Sequence, residues 1–136
     1  PAPHDKPVTR ADIETGSTFL ARRASELGDP RDGRSGIYLV SDGPESLALR
    51  LLLSERAERT IDAQYYLLHD DASGHLVAWQ LLEAAERGVR VRLLLDDFDV
   101  SGYDAMMVAL DRHPNIEIRL FNPFKRGVGK YAASLL

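Results

Sequence analysis

Four polar side chains that could line a reactive pocket fall at or just beyond the ends of predicted strands. They are Tyr66, Asp96, Asp97 and Asn122. In parallel α/β sheets, ligands bind beyond the carboxyl ends of the strands, where carboxylates can serve acid–base or nucleophilic chemistry. If the strands are neighbours, one rim therefore gathers carboxylates and an aromatic ring. Acidic residues after strands also commonly act as turn formers and helix caps, so both roles are kept for them.

A second pattern is Asp97-Phe98-Asp99-Val100-Ser101, which follows an apolar strand and resembles the D-x-D-x-[ST] motif of haloacid-dehalogenase-like phosphatases. That resemblance implies Asp97 as nucleophile, Asp99 as acid or base, and Mg²⁺ to offset the phosphate charge. Such enzymes also need a later acidic pair, and none follows Ser101. A Mg²⁺-dependent phosphohydrolase is therefore the alternative function.

The histidines and the absence of cysteine give little support for a metal site. His69 and His75 are separated by a loop and a predicted helix start, and further ligands would have to come from Asp70 or Asp71. The chain has no cysteine, which excludes disulfides and thiolate sites. Histidines in a polar loop are usually surface residues, so neither a metal nor another cofactor is expected.

Composition narrows the class of protein. The chain has 136 residues, 44% hydrophobic and 28% charged, which is typical of a single globular domain. Its net charge of −4 disfavours a nucleic-acid binder, although Lys125, Arg126 and Lys130 form a local basic cluster. No run approaches the roughly 20 apolar residues of a membrane span. The start at Pro1 suggests a processed terminus.

Hydrophobic periodicity and turn residues predict four strands that alternate with helices. The strands are predicted over 37–40, 60–67, 89–95 and 116–121, and the helices over 18–27, 44–58, 74–87 and from Ser101 to about Arg112. This order predicts an α/β fold with a mixed, largely parallel sheet and helices on both faces. Three parts are expected: an arm and short helix over 1–35, the core over 36–124, and a basic loop and tail over 125–136.

The same patterns predict which side chains are buried. The run Leu47–Leu53 is apolar nearly all round, which is typical of a well-buried helix. Leu76, Val77, Trp79, Leu82 and Ala85 are expected to face inward from the next helix, and Gly88 to end it. Leu93–Leu95 should belong to a strand that is buried on both faces.

Three segments together are similar to the first lobe of bacterial phospholipase D-like proteins of the cardiolipin synthase C type. They are 57–66 (AERTIDAQYY), 84–97 (AAERGVRVRLLLDD) and 116–124 (IEIRLFNPF). The resemblance covers about 36–124 in the same order and spacing. It implies a partial lobe whose parent protein cleaves or transfers at a phosphodiester bond.

In that chemistry one histidine attacks phosphorus, a second histidine protonates the leaving alcohol, and lysines offset the phosphoryl charge without a metal. The resemblance further implies a phospholipid substrate, contact with a membrane surface, and a membrane-associated or periplasmic bacterial protein. Tyr66, Asp96, Asp97 and Asn122 would be neighbours of the pocket and not catalysts.

The family signature H-x-K-x-x-x-x-D has no complete copy in the sequence. The only H-x-K is His4-Asp5-Lys6, with Ala11 at the aspartate position and Asp12 one residue late. The chain is therefore expected to be a fragment that is inactive alone and, with part of its sheet and helices uncovered, to self-associate. A non-catalytic α/β binding module is a further alternative.

Overall fold

The computed structural model describes residues 8–12, 16–28, 33, 36–96 and 104–123. These contain four helices and three strands. In chain order they are α1 (Phe19–Glu26), α2 (Gly43–Arg56), β1 (Thr60–Tyr65), α3 (Ala72–Glu86), β2 (Arg90–Asp96), α4 (Asp104–Asp111) and β3 (Ile116–Phe121). The start predicted for α4 at Ser101, like the predicted tail over 125–136, lies outside the described residues.

The three strands form one parallel sheet in the order β1-β2-β3, with β2 in the centre. Ile61 pairs with Val91, and Val91 pairs in turn with Ile116. Two consecutive β-α-β units therefore place each new strand beside the previous one. The predicted α/β class and the parallel pairing are confirmed.

Local signals explain where α3 begins and ends. The Asp71 carboxylate accepts a hydrogen bond from the Gly74 backbone N–H at 2.8 Å and so caps the first turn. At the other end Gly88 has a φ of 91°, in the left-handed region. Its N–H donates to Ala85 O at 2.9 Å, and the Val89 N–H donates to Ala84 O at 3.1 Å. This Schellman geometry confirms Gly88 as the residue that ends the helix.

The core lies between one face of the sheet and the helices α3 and α4. The buried apolar residues of the strands are Val91, Leu93, Leu95, Ile116 and Ile118, and they join one cluster with Val77, Ala78, Leu81, Ala84 and Ala85 of α3 and Met107 and Leu110 of α4. Among the described residues, the second face of the sheet carries polar and charged side chains in place of a packed helix. We call this second face the open face.

The strand predicted over 37–40 is wrong. These residues are described without strand structure, and Ile37, Tyr38 and Leu39 are 89%, 75% and 84% exposed. A strand requires a neighbour for its backbone hydrogen bonds, and the described sheet contains only β1, β2 and β3. Short apolar runs carry no information about such a partner.

The burial predicted for two helices also needs correction. No residue of α2 is buried, and Leu52 and Leu53 are 46% and 53% exposed. α2 packs mainly on α3 and not on the sheet, so only one side of it is covered. On α3, Val77 and Ala85 are buried as predicted, whereas Leu76 and Trp79 face outward and are 44% and 57% exposed. In β2, Leu93 and Leu95 are buried and Leu94 is half-buried.

No helix in the described parts of the chain is long and apolar enough to cross a membrane.

Candidate functional site

The carboxyl edge of the sheet holds three of the four residues predicted to line a pocket. Tyr65 pairs with Leu95, so Tyr66 leaves β1 at the same level at which Asp96 ends β2. Asp96 pairs with Phe121, and Asn122 follows directly. Neighbouring strands are about 4.8 Å apart, which places these residues along one short rim. Asp97, and with it Asp99 of the alternative phosphatase motif, lies outside the described residues.

The rim is accessible to solvent, and a turn at Asn122 ends it. Tyr66 and Phe121 are 65% and 60% exposed, so their rings line an open edge. Asn122 has a φ of 52°, a left-handed conformation that asparagine tolerates better than most residues, and it turns the chain away from β3. The rim thus offers aromatic surface, a carboxylate and an amide. Phe121 was not among the predicted site residues, and only its pairing with Asp96 reveals it.

Tyr65, which precedes Tyr66, belongs to the scaffold. It packs against the core from the helix side of the sheet. Burial raises the pKa of the Tyr65 hydroxyl above its ordinary value, and Arg50 opposes this only in part. The phenol is therefore neutral at physiological pH, and of the two tyrosines only Tyr66 faces solvent broadly.

The open face carries a charged row across all three strands. Asp62 pairs in register with Arg92, and Arg92 with Glu117. Arg92 donates two parallel hydrogen bonds to the Asp62 carboxylate, from Nε to Oδ1 at 2.6 Å and from Nη2 to Oδ2 at 2.7 Å. Arg119 donates from Nε to Glu117 Oε1 at 2.5 Å. Two cations and two anions therefore neutralise one another in a groove of about 320 Å³.

Residues 8–12 lie on this row, and we call them the strap. Arg92 Nη1 donates to the Thr9 carbonyl at 3.0 Å, and Arg90 Nη2 donates to the Arg10 carbonyl at 2.7 Å. The Thr9 hydroxyl donates to Glu117 Oε2 at 3.2 Å. Further along, Asp12 pairs with Arg59 at 3.0 Å. The strap thus runs toward the amino ends of the strands and leaves the carboxyl edge uncovered.

The Asp62–Arg92 pair should make stability depend on pH. The hydrogen bonds from Arg92 lower the pKa of Asp62, so the folded chain prefers the ionised form. Its contribution is fully present above the unfolded pKa of about 3.9 and is lost as the pH falls through the lower folded pKa. Since the Asp62 side chain is 40% exposed, solvent screening limits the contribution to about 1 kcal/mol or less.

Asp62→Asn should therefore lower the free energy of unfolding by that amount at pH 7 and by less near pH 2, where protonation of Asp62 is favoured. Urea unfolding followed by circular dichroism at both pH values measures the difference. Asp70→Asn is the matched control, because Asp70 is paired with the exposed His75 side chain, at 2.7 Å, outside the sheet. An equal loss at both pH values would contradict this account.

The histidine loop has a structural role. Asp71 caps α3, and the hydrogen bonds from the Gly74 backbone and from Ser73 lower its pKa. His75 and Asp70 are paired with more than half of each side chain exposed. Within the described ranges, no three histidine or acidic side chains come together as metal ligands would. For Asp71, helix capping explains the position after a strand.

Comparison with known proteins finds two cardiolipin synthases and an uncharacterized protein among the relatives of the chain. It is 48% identical over 105 residues to cardiolipin synthase C of Escherichia coli, a match covering 77% of this chain and 22% of that protein. It is 32% identical over 95 residues to cardiolipin synthase of Geobacillus kaustophilus, covering 70% of this chain and 17% of the relative. An uncharacterized Helicobacter pylori protein is 39% identical over 90 residues, covering 66% and 18%.

The chain thus spans about a fifth of the length of these relatives. No family model matches it.

Proposed function

The chain belongs to the phospholipase D-like cardiolipin synthase family, and we propose that it supplies part of one lobe of a phosphodiesterase or phosphatidyltransferase that acts on phospholipids. The observation that carries this proposal is the 48% identity over 77% of the chain. The open carboxyl edge of a parallel sheet supports it, because this is where α/β folds bind ligands. On this proposal the protein works at a bacterial membrane surface or in the periplasm.

In this function the rim residues would form a wall of the pocket. The Tyr66 hydroxyl and the Asn122 amide can donate hydrogen bonds to phosphate or glycerol oxygens, and Asp96 can accept them from hydroxyl groups. On this proposal Asp97, next along the chain, would be the fourth wall residue. None of these residues need bond to phosphorus, because the family's nucleophile is a histidine. Their task would be to orient a headgroup, which reduces the entropy cost of the reaction.

The chain alone should not turn over a diester. Its only H-x-K lacks the matching aspartate, with Ala11 in that position. Without the histidine pair and the lysines, the rim lacks the family's nucleophile for attack on phosphorus and its general acid for protonation of the leaving alcohol. On this proposal residues 36–124 contribute to substrate binding by lining the pocket, and they contribute no catalytic group. The self-association expected of the chain stays a prediction, which the exposed Leu52 and Leu53 favour.

One experiment with a binding arm and a turnover arm tests this function. In the binding arm, a short-chain phosphatidylglycerol below its micelle concentration is titrated into ¹⁵N-labelled chain. We expect amide shifts concentrated at Tyr66, Asp96 and Asn122, and weaker ones at Asp62 and Arg92 in the open face. In the turnover arm, the chain is incubated with this lipid and with a phosphomonoester, each with and without Mg²⁺. We expect no hydrolysis or transfer of the lipid and no release of phosphate from the monoester.

The controls separate the alternatives. Glycerol without phosphate should leave the rim unshifted, and Asn122→Gly, which keeps the left-handed turn but removes the amide, should weaken binding severalfold. Metal-dependent release from the monoester that disappears in Asp97→Asn would establish the phosphohydrolase instead. Diester turnover would refute the claim of inactivity. Lipid shifts spread evenly over the surface would refute the rim as a pocket wall and favour a module of another kind.

A further inference from the structure

The strap binds to the open face of the sheet, and this contact has no part in the proposed binding of phospholipid at the rim. The strap contributes no helix or strand, yet hydrogen bonds and an ion pair hold it, and two of the hydrogen bonds are made to its backbone carbonyls. Arg90 and Arg92 stand two positions apart on β2, which is about 6.6 Å along the strand. Their acceptors are the carbonyls of the consecutive residues Thr9 and Arg10. Main-chain recognition of this type suits an extended peptide.

The burial of Glu117 is a second, independent reason to regard these contacts as specific. Its side chain is only 11% exposed, and a carboxylate taken out of water needs hydrogen-bond donors. The Thr9 hydroxyl and Arg119 are the donors that satisfy it. Removing the strap would deprive Glu117 of one donor and of its cover. The strap therefore completes the open face.

The strap is nevertheless held weakly enough to leave. Its contacts are polar, the bond from Arg90 to the Arg10 carbonyl is exposed to solvent, and Val8 is 83% exposed. The apolar core lies on the other face, so no core residue depends on it. We propose that the open face is a docking surface for one extended peptide segment, and that the strap is its detachable occupant from the same chain. Release of the strap uncovers the Asp62–Arg92–Glu117 row while the sheet stays folded.

Proteolysis of the full chain tests this proposal, because trypsin cleaves after Arg10 only when the strap is free. We expect the Arg10–Ala11 bond to be cut at least about tenfold more slowly in the chain than in a synthetic peptide of residues 1–16, since cleavage follows the open population. Thr9→Val, which removes the hydroxyl but keeps the shape, should speed the cut about fivefold, the effect of one hydrogen bond. Intact-mass spectrometry of the 11–136 product gives the rate.

Val8→Thr is the matched control, because it makes the reverse exchange at the neighbouring exposed position and should leave the rate unchanged. Three results would overturn the proposal. The peptide and the chain could be cut at the same rate, so that no docking exists. Cleavage could occur only through the global unfolding transition in urea, so that the strap is not detachable. Protection could increase with protein concentration, so that a second copy provides the occupant.

Discussion

Leu95→Ala should lower the free energy of unfolding by about 3 kcal/mol, the largest effect of any single change considered for this chain. Leu95 lies in the central strand and is 1% exposed, with Tyr65 and Leu120 beside it in register. The lost side chain would leave a cavity between β2 and the helices, and neighbours on both sides prevent the sheet from collapsing into it. A small domain has only about 5–15 kcal/mol of stability in total.

Urea unfolding followed by far-ultraviolet circular dichroism measures this loss, and Leu52→Ala provides the matched comparison. The chemical change is identical, but Leu52 is 46% exposed on the outer side of α2. Its cost should stay below about 1 kcal/mol, because little apolar surface is returned to water. Similar losses for the two variants would contradict the assignment of the core to the α3 and α4 side of the sheet.

Gly88→Ala is the second large effect, and we expect a loss of about 1–2 kcal/mol. The cost comes from the backbone, since a φ of 91° is unfavourable for a residue with a Cβ atom. Apart from the adjoining residues, no described atom lies within 4 Å of the position that the Cβ would occupy. An alternative φ would break the two hydrogen bonds that end α3 and would shift the start of β2. The junction between helix and central strand therefore depends on glycine.

Gly43→Ala separates this backbone effect from the general effect of replacing glycine. Gly43 also has open space around it, but it begins α2 and does not have a left-handed φ. Alanine there should be neutral or stabilising by up to about 1 kcal/mol, since it reduces the entropy of the unfolded chain. If both variants lose the same stability in urea unfolding, strain at Gly88 is not the cause.

Elements with strong local signals were predictable from the sequence. Gly88 ends α3 as predicted, and β3 alternates clearly enough to be predicted at Ile116–Phe121, whereas α3 begins at Ala72, two residues before its predicted start. The run over 37–40 resembles β3 in composition but has no described strand partner. Strand formation depends on residues far away in sequence, and a local pattern does not reveal them. Outward positions such as Trp79 were also unpredictable, because the neighbours of a helix decide which side is covered.

Part of the candidate site could likewise be predicted from the sequence, and part could not. The shared location of Tyr66, Asp96 and Asn122 could be predicted from the sequence, because neighbouring parallel strands have their carboxyl ends at the same edge of the sheet. The charged row on the open face could not be predicted. It requires the exact register that aligns Asp62 with Arg92 and Glu117, and a shift of one residue would turn these side chains to the other face. The contact of Thr9 with Glu117 spans 108 residues, beyond any sequence pattern.

The outward position of Trp79 decides how this protein can be followed by spectroscopy. It is the one tryptophan in the sequence, and with 57% of its surface in water its native emission should already be close to that of the unfolded chain. Intrinsic fluorescence would therefore miss much of the unfolding transition. The same ring becomes a sensitive reporter for anything that covers the outer side of α3, because losing its water contact would shift its emission to shorter wavelength.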